Sequence, residues 1–270
     1  MRLMIRPIAA LAFAAGLPAL GQDLTIVSKV TKDGKPAETA TSYLSRDYIR
    51  HAQGDGKESI YDLNAGQMTV LDGVKKTYYV ITRQDIEQMA ATMKGRMNSP
   101  EMKKAQEKMN ELSPEDRKKM EDAMGGMFDF DVQKTGTSRK IAGYNCVNWK
   151  ITMGQFSKTE ECLTGELQFP AQAWEMYRGF AESMKTMMAA FGPMAKGVEK
   201  MQEKFKNMRG YPLATTTEIN IMGHASTTVS EVTEIKRGPI PASAWEIPAG
   251  YTKVDNPMQK AGRSGRSSGR

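Results

Sequence analysis

The feature that most constrains this chain is an apolar-periodic segment at residues 170–209. Apolar residues recur there every three or four positions, which is the spacing of one helix face. Gly192 and Pro193 interrupt the pattern, because proline lacks an N–H and disfavours a helical residue before it. The segment therefore predicts two amphipathic helices whose apolar stripes must be buried against another part of the chain. The stripes comprise Trp174, Tyr177, Ala181, Met184, Met188 and Phe191, then Met194, Val198, Met201, Phe205 and Met208.

Most of the remaining sequence alternates apolar and polar residues, which is typical of β-strands with one buried face. From Leu24 to Ile81, short runs are separated by Gly, Asn and Asp turns and predict an antiparallel meander. Residues 39–52 are interpreted as one of these runs. Strand character returns at residues 128–167 and again at 213–236. The sequence therefore predicts a large antiparallel sheet.

A helical insertion is predicted at about residues 83–127, between the two strand regions. Thr82 and Asp85 form a capping-box-like start, so the first helix begins at about Arg83. Ser99-Pro100 and Ser113-Pro114 provide two further helix starts, since a capping serine precedes a proline at the first helical position. Each charged pair in this insertion adds little to helix stability, so these helices need a packing partner to be stable.

Residues 1–21 predict a signal peptide. Arg2 and Arg6 precede an apolar stretch that ends in a small-residue cleavage site near Gly21. The apolar stretch is too short to cross a bilayer, so we expect a periplasmic or secreted protein rather than an integral membrane protein.

Residues 257–270 predict a disordered basic tail, because they contain no hydrophobic cluster able to support a core. Residues 22–256 then form a single predicted domain.

The net charge of +7 comes almost entirely from the two ends of the chain. Removing the six basic residues of the signal peptide and the tail from a total of 38 leaves 32 against 31 acidic residues. The predicted domain is therefore nearly neutral. We accordingly exclude nucleic acid as a partner.

Cys146 and Cys162 are the two cysteines of the chain, and each lies eight residues from Gly154. A hairpin about Gly154 would place them opposite one another, and an exported chain favours their oxidation. We expect a structural disulfide that contributes about 3 kcal/mol in the chain-entropy model. The alternative of a redox-active pair lacks the Cys-x-x-Cys spacing.

Signals for catalysis are weak. His51 and His224 are the two histidines, and they form no metal-binding pair. Residues 265–269 match Gly-x-Ser-x-Gly, but they lie in the predicted tail, where a nucleophile elbow cannot form. Asp129 and Asp131 would share a strand face, but no third calcium ligand accompanies them. We therefore predict that the protein is not an enzyme and needs no cofactor.

Four short motifs together resemble a known family. They are Gly143-Tyr144-Asn145-Cys146 with Trp149, Cys162-Leu163-Thr164-Gly165, Gly210-Tyr211-Pro212-Leu213 and Ile247-Pro248-Ala249-Gly250-Tyr251. They resemble domain-of-unknown-function family 4412 of exported bacterial proteins, over residues 22–255. That family is similar to the periplasmic lipoprotein carrier fold, an incomplete antiparallel β-barrel wrapped over helices. The resemblance implies an architecture and no catalytic residues.

We therefore expect an α+β fold, in which a curved antiparallel sheet, an incomplete β-barrel, carries amphipathic helices across its concave face. The predicted function is non-enzymatic binding of an apolar ligand, either a lipid or a lipidated protein. Methionine supports this prediction, because 15 of the 21 lie in the two helical regions and thioether side chains adapt to varied apolar surfaces. The predicted lining residues are Trp174, Met184, Met187, Met188 and Phe191.

Two alternatives stay open. Met184, Met187 and Met188 could supply thioether ligands to Cu(I) from one helix. Alternatively, the chain is an envelope interaction or stress-response protein whose charged helical arm, Ser99 to Gly126, docks on a protein partner and holds no small ligand.

Overall fold

The computed structural model describes residues 23–97, 99–100, 130–167, 208–221 and 223–257, with the single positions 104, 113, 115 and 204. The predicted signal peptide, the basic tail beyond Pro257, most of the insertion after Met97 and most of the 170–209 segment lie outside these residues. The predictions made for them stay predictions.

The described chain forms a sheet of twelve strands. These are β1 Leu24–Lys32, β2 Glu38–Leu44, β3 Tyr48–Ala52, β4 Lys57–Asp62, β5 Gln67–Asp72, β6 Thr77–Ile81, β7 Phe130–Ile141, β8 Tyr144–Met153, β9 Ser157–Thr164, β10 Tyr211–Ile221, β11 His224–Arg237 and β12 Thr252–Lys253. Their order across the sheet is β12-β6-β5-β4-β3-β2-β1-β11-β10-β9-β8-β7. Neighbouring strands are antiparallel, except that β12 pairs in parallel with β6. Helix α1 spans Arg83–Met97, and a short 3-10 helix spans Ala242–Trp245.

The run at residues 39–52, interpreted from the sequence as one strand segment, is two strands. The chain reverses at Ser45, whose hydroxyl accepts a hydrogen bond from the Tyr48 N–H at 3.0 Å and donates one to the Tyr48 carbonyl at 3.1 Å. A serine hydroxyl can replace a backbone partner in this way and so stabilise a tight turn without glycine. β2 and β3 are therefore a hairpin pair, with Leu44 opposite Ile49.

Helix α1 begins where the sequence predicts. The Thr82 N–H and Oγ1–H both donate to the Asp85 carboxylate at 2.8 Å, and the Asp85 N–H donates to Thr82 Oγ1 at 3.2 Å. These reciprocal bonds satisfy backbone donors that the first turn of a helix cannot satisfy internally. The capping-box prediction is confirmed.

The core lies mainly where β1 meets the second half of the sheet, β8–β11. Ile26 and Leu213 are fully buried there, and the two cysteines are 1% exposed. Burial of such side chains is the main favourable term in folding. The remaining members of this buried cluster are Leu24, Leu44, Ile141, Leu167, Ala214 and Val232.

The sheet is curved and does not close. The Tyr211 hydroxyl, on β10, is hydrogen-bonded to Ser42 on β2, although β11 and β1 lie between these strands. In a flat sheet the two backbones would be about 14 Å apart, so the strands must curve toward one another. The outermost strands, β12 and β7, do not pair with each other. The prediction of a curved, incomplete antiparallel barrel is confirmed for the sheet, whereas the helices predicted across its concave face lie largely outside the described residues.

The C-terminal segment, residues 238–256, runs back over the first half of the sheet, and we call it the closing strap. Trp245 stacks on Tyr48 with ring centroids 5.4 Å apart and meets Tyr43 edge-on at 6.5 Å. The Arg50 guanidinium donates to the Ala244 carbonyl at 2.7 Å and to the Glu58 carboxylate at 2.8 Å. These contacts fix the strap before it reaches β12 at the sheet edge.

Candidate functional site

The predicted disulfide is present, but its hairpin register differs from the prediction. Cys146 and Cys162 are bonded, with their Cα atoms 5.3 Å apart. The hairpin turns through Gly154, Gln155 and Phe156, because Met153 pairs with Ser157. Cys162 therefore lies opposite Asn148, and the disulfide links the two strands diagonally rather than directly across. The turn is centred on Gln155, one residue after Gly154, and this shifts the register by two residues.

One face of β7–β10 is apolar, and we call it the apolar wall. Phe130 lies opposite Met153, and Val132 lies opposite Ile151. Residues directly opposite in an antiparallel sheet share a face. Met153 in turn lies opposite Ser157, which lies opposite Ile219. The wall comprises Phe130, Val132, Trp149, Ile151, Met153 and Ile219, with Ser157, Thr159, Thr215 and Thr217 between them.

Two observations show that wall residues share one side of the sheet and that two of the apolar ones are exposed. Thr159 Oγ1 donates to Thr217 Oγ1 at 3.3 Å, so the two side chains lie on the same side of β9 and β10. Met153 is 43% exposed and Ile219 40% exposed, although both are large apolar side chains. Met153 and Ile219 lie on either side of Ser157 in the same row, and exposed apolar side chains on one face favour apolar contacts.

The opposite face of the same strands is charged. Lys158 Nζ lies 3.1 Å from Glu160 Oε1 and 3.9 Å from Glu218 Oε1, and Lys158 lies opposite Thr152 on β8. The ion-paired side chains are 40% to 56% exposed, so this face is in contact with solvent. The strands thus separate a solvated polar face from the wall.

Glu161 is an acidic residue within the wall. It lies opposite Trp149 on β8 and Thr215 on β10. Its side chain is largely buried, and burial raises the pKa of its carboxyl, because the charged form loses hydration. In the described part of the chain it makes no hydrogen bond or ion pair. It therefore differs from Glu160, its neighbour on the charged face.

A second polar group lies nearer the middle of the sheet. Ser42 Oγ is 2.8 Å from His51 Nδ1, and the same serine is hydrogen-bonded to the Tyr211 hydroxyl. Burial lowers the pKa of His51 and raises the pKa of Tyr211, so both side chains favour their neutral forms. No carboxylate partner of His51 is found among the described residues. The arrangement joins β2, β3 and β10, and among the described residues it has no third group of the kind that orients a catalytic histidine.

A polar cavity of 650 Å³ lies beside the start of α1. Thr82, Asp85, Lys253 and Asn256 are among its lining residues, and Asn256 also donates to the Val80 carbonyl at 3.4 Å. This lining suits water or small polar molecules better than an acyl chain.

The predicted lining residues Trp174, Met184, Met187, Met188 and Phe191 lie outside the described residues, as does most of the Ser99–Gly126 arm. The copper alternative depends on the same methionines. Among the described residues, no group of three or more His, Cys, Asp or Glu side chains is placed to hold a metal ion. Asp131 is described, and Lys204 pairs with it.

The wall itself was not predicted from the sequence as a site. Trp149, Ile151 and Met153 alternate along β8, and this period-two pattern is the signal that indicates a shared face. The sequence interpretation used this hairpin for its cysteines alone. Which strands extend the face could not be read from β8, since that depends on register across four strands.

No described helix is long and apolar enough to cross a membrane. No protein of curated function matches the sequence.

The solved structures that the chain matches are distant from it. PNGF-II has 11% identity and a TM-score of 0.41, and the similarity covers 89% of this chain and 32% of that one. The MucA/MucB complex of Pseudomonas aeruginosa has 14% identity and a TM-score of 0.36, and the similarity covers 85% of this chain and 56% of that one. A LolA superfamily protein from Nitrosomonas europaea has 6% identity and a TM-score of 0.17, and the similarity covers 85% of this chain and 91% of that one. The chain thus spans about a third and just over half of the first two, and no ligand or partner is transferred from any of them.

A family profile gives the identification. The profile described as a domain of unknown function, DUF4412, matches residues 81–251, which include α1, the disulfide hairpin, the wall and most of the closing strap. This is more than half of the chain, and it agrees with the four motifs from which the resemblance was inferred. The chain therefore belongs to the DUF4412 family.

Proposed function

We propose that this protein is a non-enzymatic binding protein for an apolar ligand, either a lipid or the acyl chain of a lipidated protein, outside the cytoplasm. The observation that carries the proposal is the apolar wall, where Met153 and Ile219 stay exposed in register while the reverse face of the same strands is ion-paired. An apolar ligand lying on this surface would remove both side chains from water.

Energetics support this surface as the binding site. Removing apolar surface from water stabilises a complex by about 25 cal/mol per Å². An acyl chain that covers two or three adjacent wall side chains therefore gains several kcal/mol, before the cost of ordering the ligand. Thr159 bonds to Thr217, so these two hydroxyls need not be desolvated unpaired.

The compartment is part of the proposal. The Cys146–Cys162 disulfide is compatible with an oxidising environment, and the sequence predicts a signal peptide before Gln22. Both are typical of proteins that act in the periplasm or beyond it.

Native mass spectrometry with organic extraction tests the proposal. The protein is purified gently from a bacterial periplasm with the disulfide intact, and we expect a discrete adduct that extracts as a lipid. The Met153→Glu variant should lose the adduct, because a carboxylate in the wall would have to be desolvated by the ligand. Thr152→Glu is the matched control, since the adjacent residue faces Lys158 on the charged side.

A bare mass for the wild-type protein would contradict ligand binding. In that case the alternative of a protein-docking module becomes the working hypothesis, and capture of a partner through Ser99–Gly126 is the next experiment. An adduct that survives Met153→Glu but not Thr152→Glu would place the site on the wrong face and overturn the assignment to the wall.

A further inference from the structure

The apolar wall contains one feature that binding of a plain hydrocarbon does not explain. Glu161 lies among apolar and threonine side chains, largely buried, with no hydrogen-bond or ionic partner in the described part of the chain. An unpaired buried carboxylate destabilises the fold, and a glutamine or threonine at this position would cost less because neither carries a charge. Such a group is a candidate for ligand recognition.

We propose that Glu161 selects the head group of the ligand, and that the preferred ligand is an amphiphile carrying a primary amine. This inference rests on the proposed function, because it assumes that an alkyl chain occupies the wall. The amine lies beside Glu161, and the alkyl chain extends over Ile151, Met153 and Ile219.

The geometry of the row through Glu161 favours a cation. Trp149 lies directly opposite Glu161 on β8, and an indole face attracts an ammonium group electrostatically. An ammonium group offers three donors, which suits an ionised carboxylate that can only accept. Thr215, opposite Glu161 on the other side, adds a hydroxyl that can accept from the same group.

Lys134 is the basic residue in the same row, opposite Trp149 on the far side from Glu161. It would favour an anionic head group, such as a fatty-acid carboxylate. However, Lys134 is exposed on the outermost strand, whereas Glu161 is largely buried. An ion pair is stronger where water is excluded, so recognition at Glu161 outweighs recognition at Lys134.

Burial raises the pKa of the Glu161 carboxyl, as described above. An ammonium group close to the carboxyl would lower that pKa, because it stabilises the ionised form. An amine bound there therefore offsets the free-energy cost of burying the ionised Glu161 carboxylate without a partner. A neutral alcohol can bond to the carboxyl but supplies no charge. A carboxylate ligand would place two like charges together.

The experiment is displacement of a neutral fluorescent apolar probe, N-phenyl-1-naphthylamine, from the purified full-length protein. Three competitors share a chain length: hexadecylamine, hexadecanol and palmitate. For the wild type we expect hexadecylamine to displace the probe at a concentration about tenfold lower than hexadecanol, as a charge-assisted hydrogen bond implies. Palmitate should be the weakest of the three.

Two variants test the role of the carboxylate. In Glu161→Gln the tenfold preference should fall to about twofold or less, because the amide keeps the shape and removes the charge. Hexadecanol displacement should persist in this variant, which shows that it is folded. Glu160→Gln is the matched control, since the adjacent carboxylate is on the charged face and pairs with Lys158. It should keep the wild-type preference.

The outcomes separate the two proposals. If no competitor displaces the probe, the binding function fails, and the role of Glu161 fails with it. If all three displace it equally, or if the amine preference survives Glu161→Gln, the wall binds apolar ligands and the inference about Glu161 is wrong. If palmitate is preferred, the head group is recognised by a cation such as Lys134, which also overturns the inference.

Discussion

His51 shows how burial in this sheet changes the chemistry of one side chain. The imidazole is half-buried and bonded to Ser42, and its pKa lies below the ordinary value of 6.5, because burial disfavours the charged form. Glu161 is affected in the opposite sense, since burial raises the pKa of an acid. Folding therefore shifts both residues toward their neutral forms relative to the unfolded chain, and each makes stability depend on pH.

The pH dependence due to His51 has a definite sign. The unfolded state binds more protons than the folded state between the lowered pKa and 6.5, so stability is complete above 6.5 and falls as the pH drops through this window. Urea unfolding at about pH 7.5 and about pH 5.5 measures the difference. We expect His51→Gln to lose less stability on acidification than the wild type. His224→Gln, at an exposed position, is the control variant. An identical loss of stability in His51→Gln and the wild type would contradict the assignment of this pH dependence to His51.

The β8–β9 hairpin is the element on which the wall is built. It contributes Trp149, Ile151 and Met153 to the wall, while Cys146 and Cys162 are buried in the main core cluster. The cross-link therefore fixes the register of the strands that display the wall. A slip of one residue would exchange the apolar face with the ion-paired one.

Removing the disulfide should destabilise the protein by about 3 kcal/mol, since the unfolded chain regains the entropy of an open loop. Replacing Cys146 and Cys162 by alanine and measuring the urea midpoint tests this value. Reduced wild-type protein is the control, because it loses the cross-link and keeps both side chains. A midpoint unchanged by either treatment would show that packing alone holds the hairpin.

At the scale of the whole molecule, the closing strap joins distant parts of the sheet. The Gly238 N–H donates to the Asp23 carbonyl at 3.0 Å, just before β1, and the Val254 N–H donates to the Tyr78 carbonyl at 2.8 Å on β6. Between these points, Trp245 packs on Tyr48. The strap thus connects the middle of the sheet to one edge, and it protects that edge from pairing with other chains.

Trp245→Ala should release the middle of the strap and cost about 2 kcal/mol, the order expected for burying one large side chain. Hydrogen exchange should accelerate at Thr252 and Val254, whose N–H groups bond to the carbonyls of Lys76, just before β6, and of Tyr78 on β6. Ile247→Ala is the control, since Ile247 is 37% exposed in the same strap. Unchanged exchange in Trp245→Ala would show that the strap is held by its backbone bonds alone.

Local signals in the sequence predicted the local structure well. Thr82 and Asp85 predicted the start of α1, because a capping box involves residues three apart. Turn residues predicted most hairpins for the same reason. The Ser45 turn was missed, because a serine that bonds to the backbone leaves a weaker compositional signal than glycine does.

The sequence by itself determined the sheet, most of its hairpins, the start of α1 and the pairing of the two cysteines, because each depends on residues close in the chain or on a choice with one solution. Only the tertiary structure decided the wall. Phe130, Trp149 and Ile219 come together through strand register, and the β8–β9 register depends on a turn centred on Gln155 rather than on Gly154. The environment of Glu161 is likewise a property of the packed sheet, since burial results from neighbours that are distant in the chain.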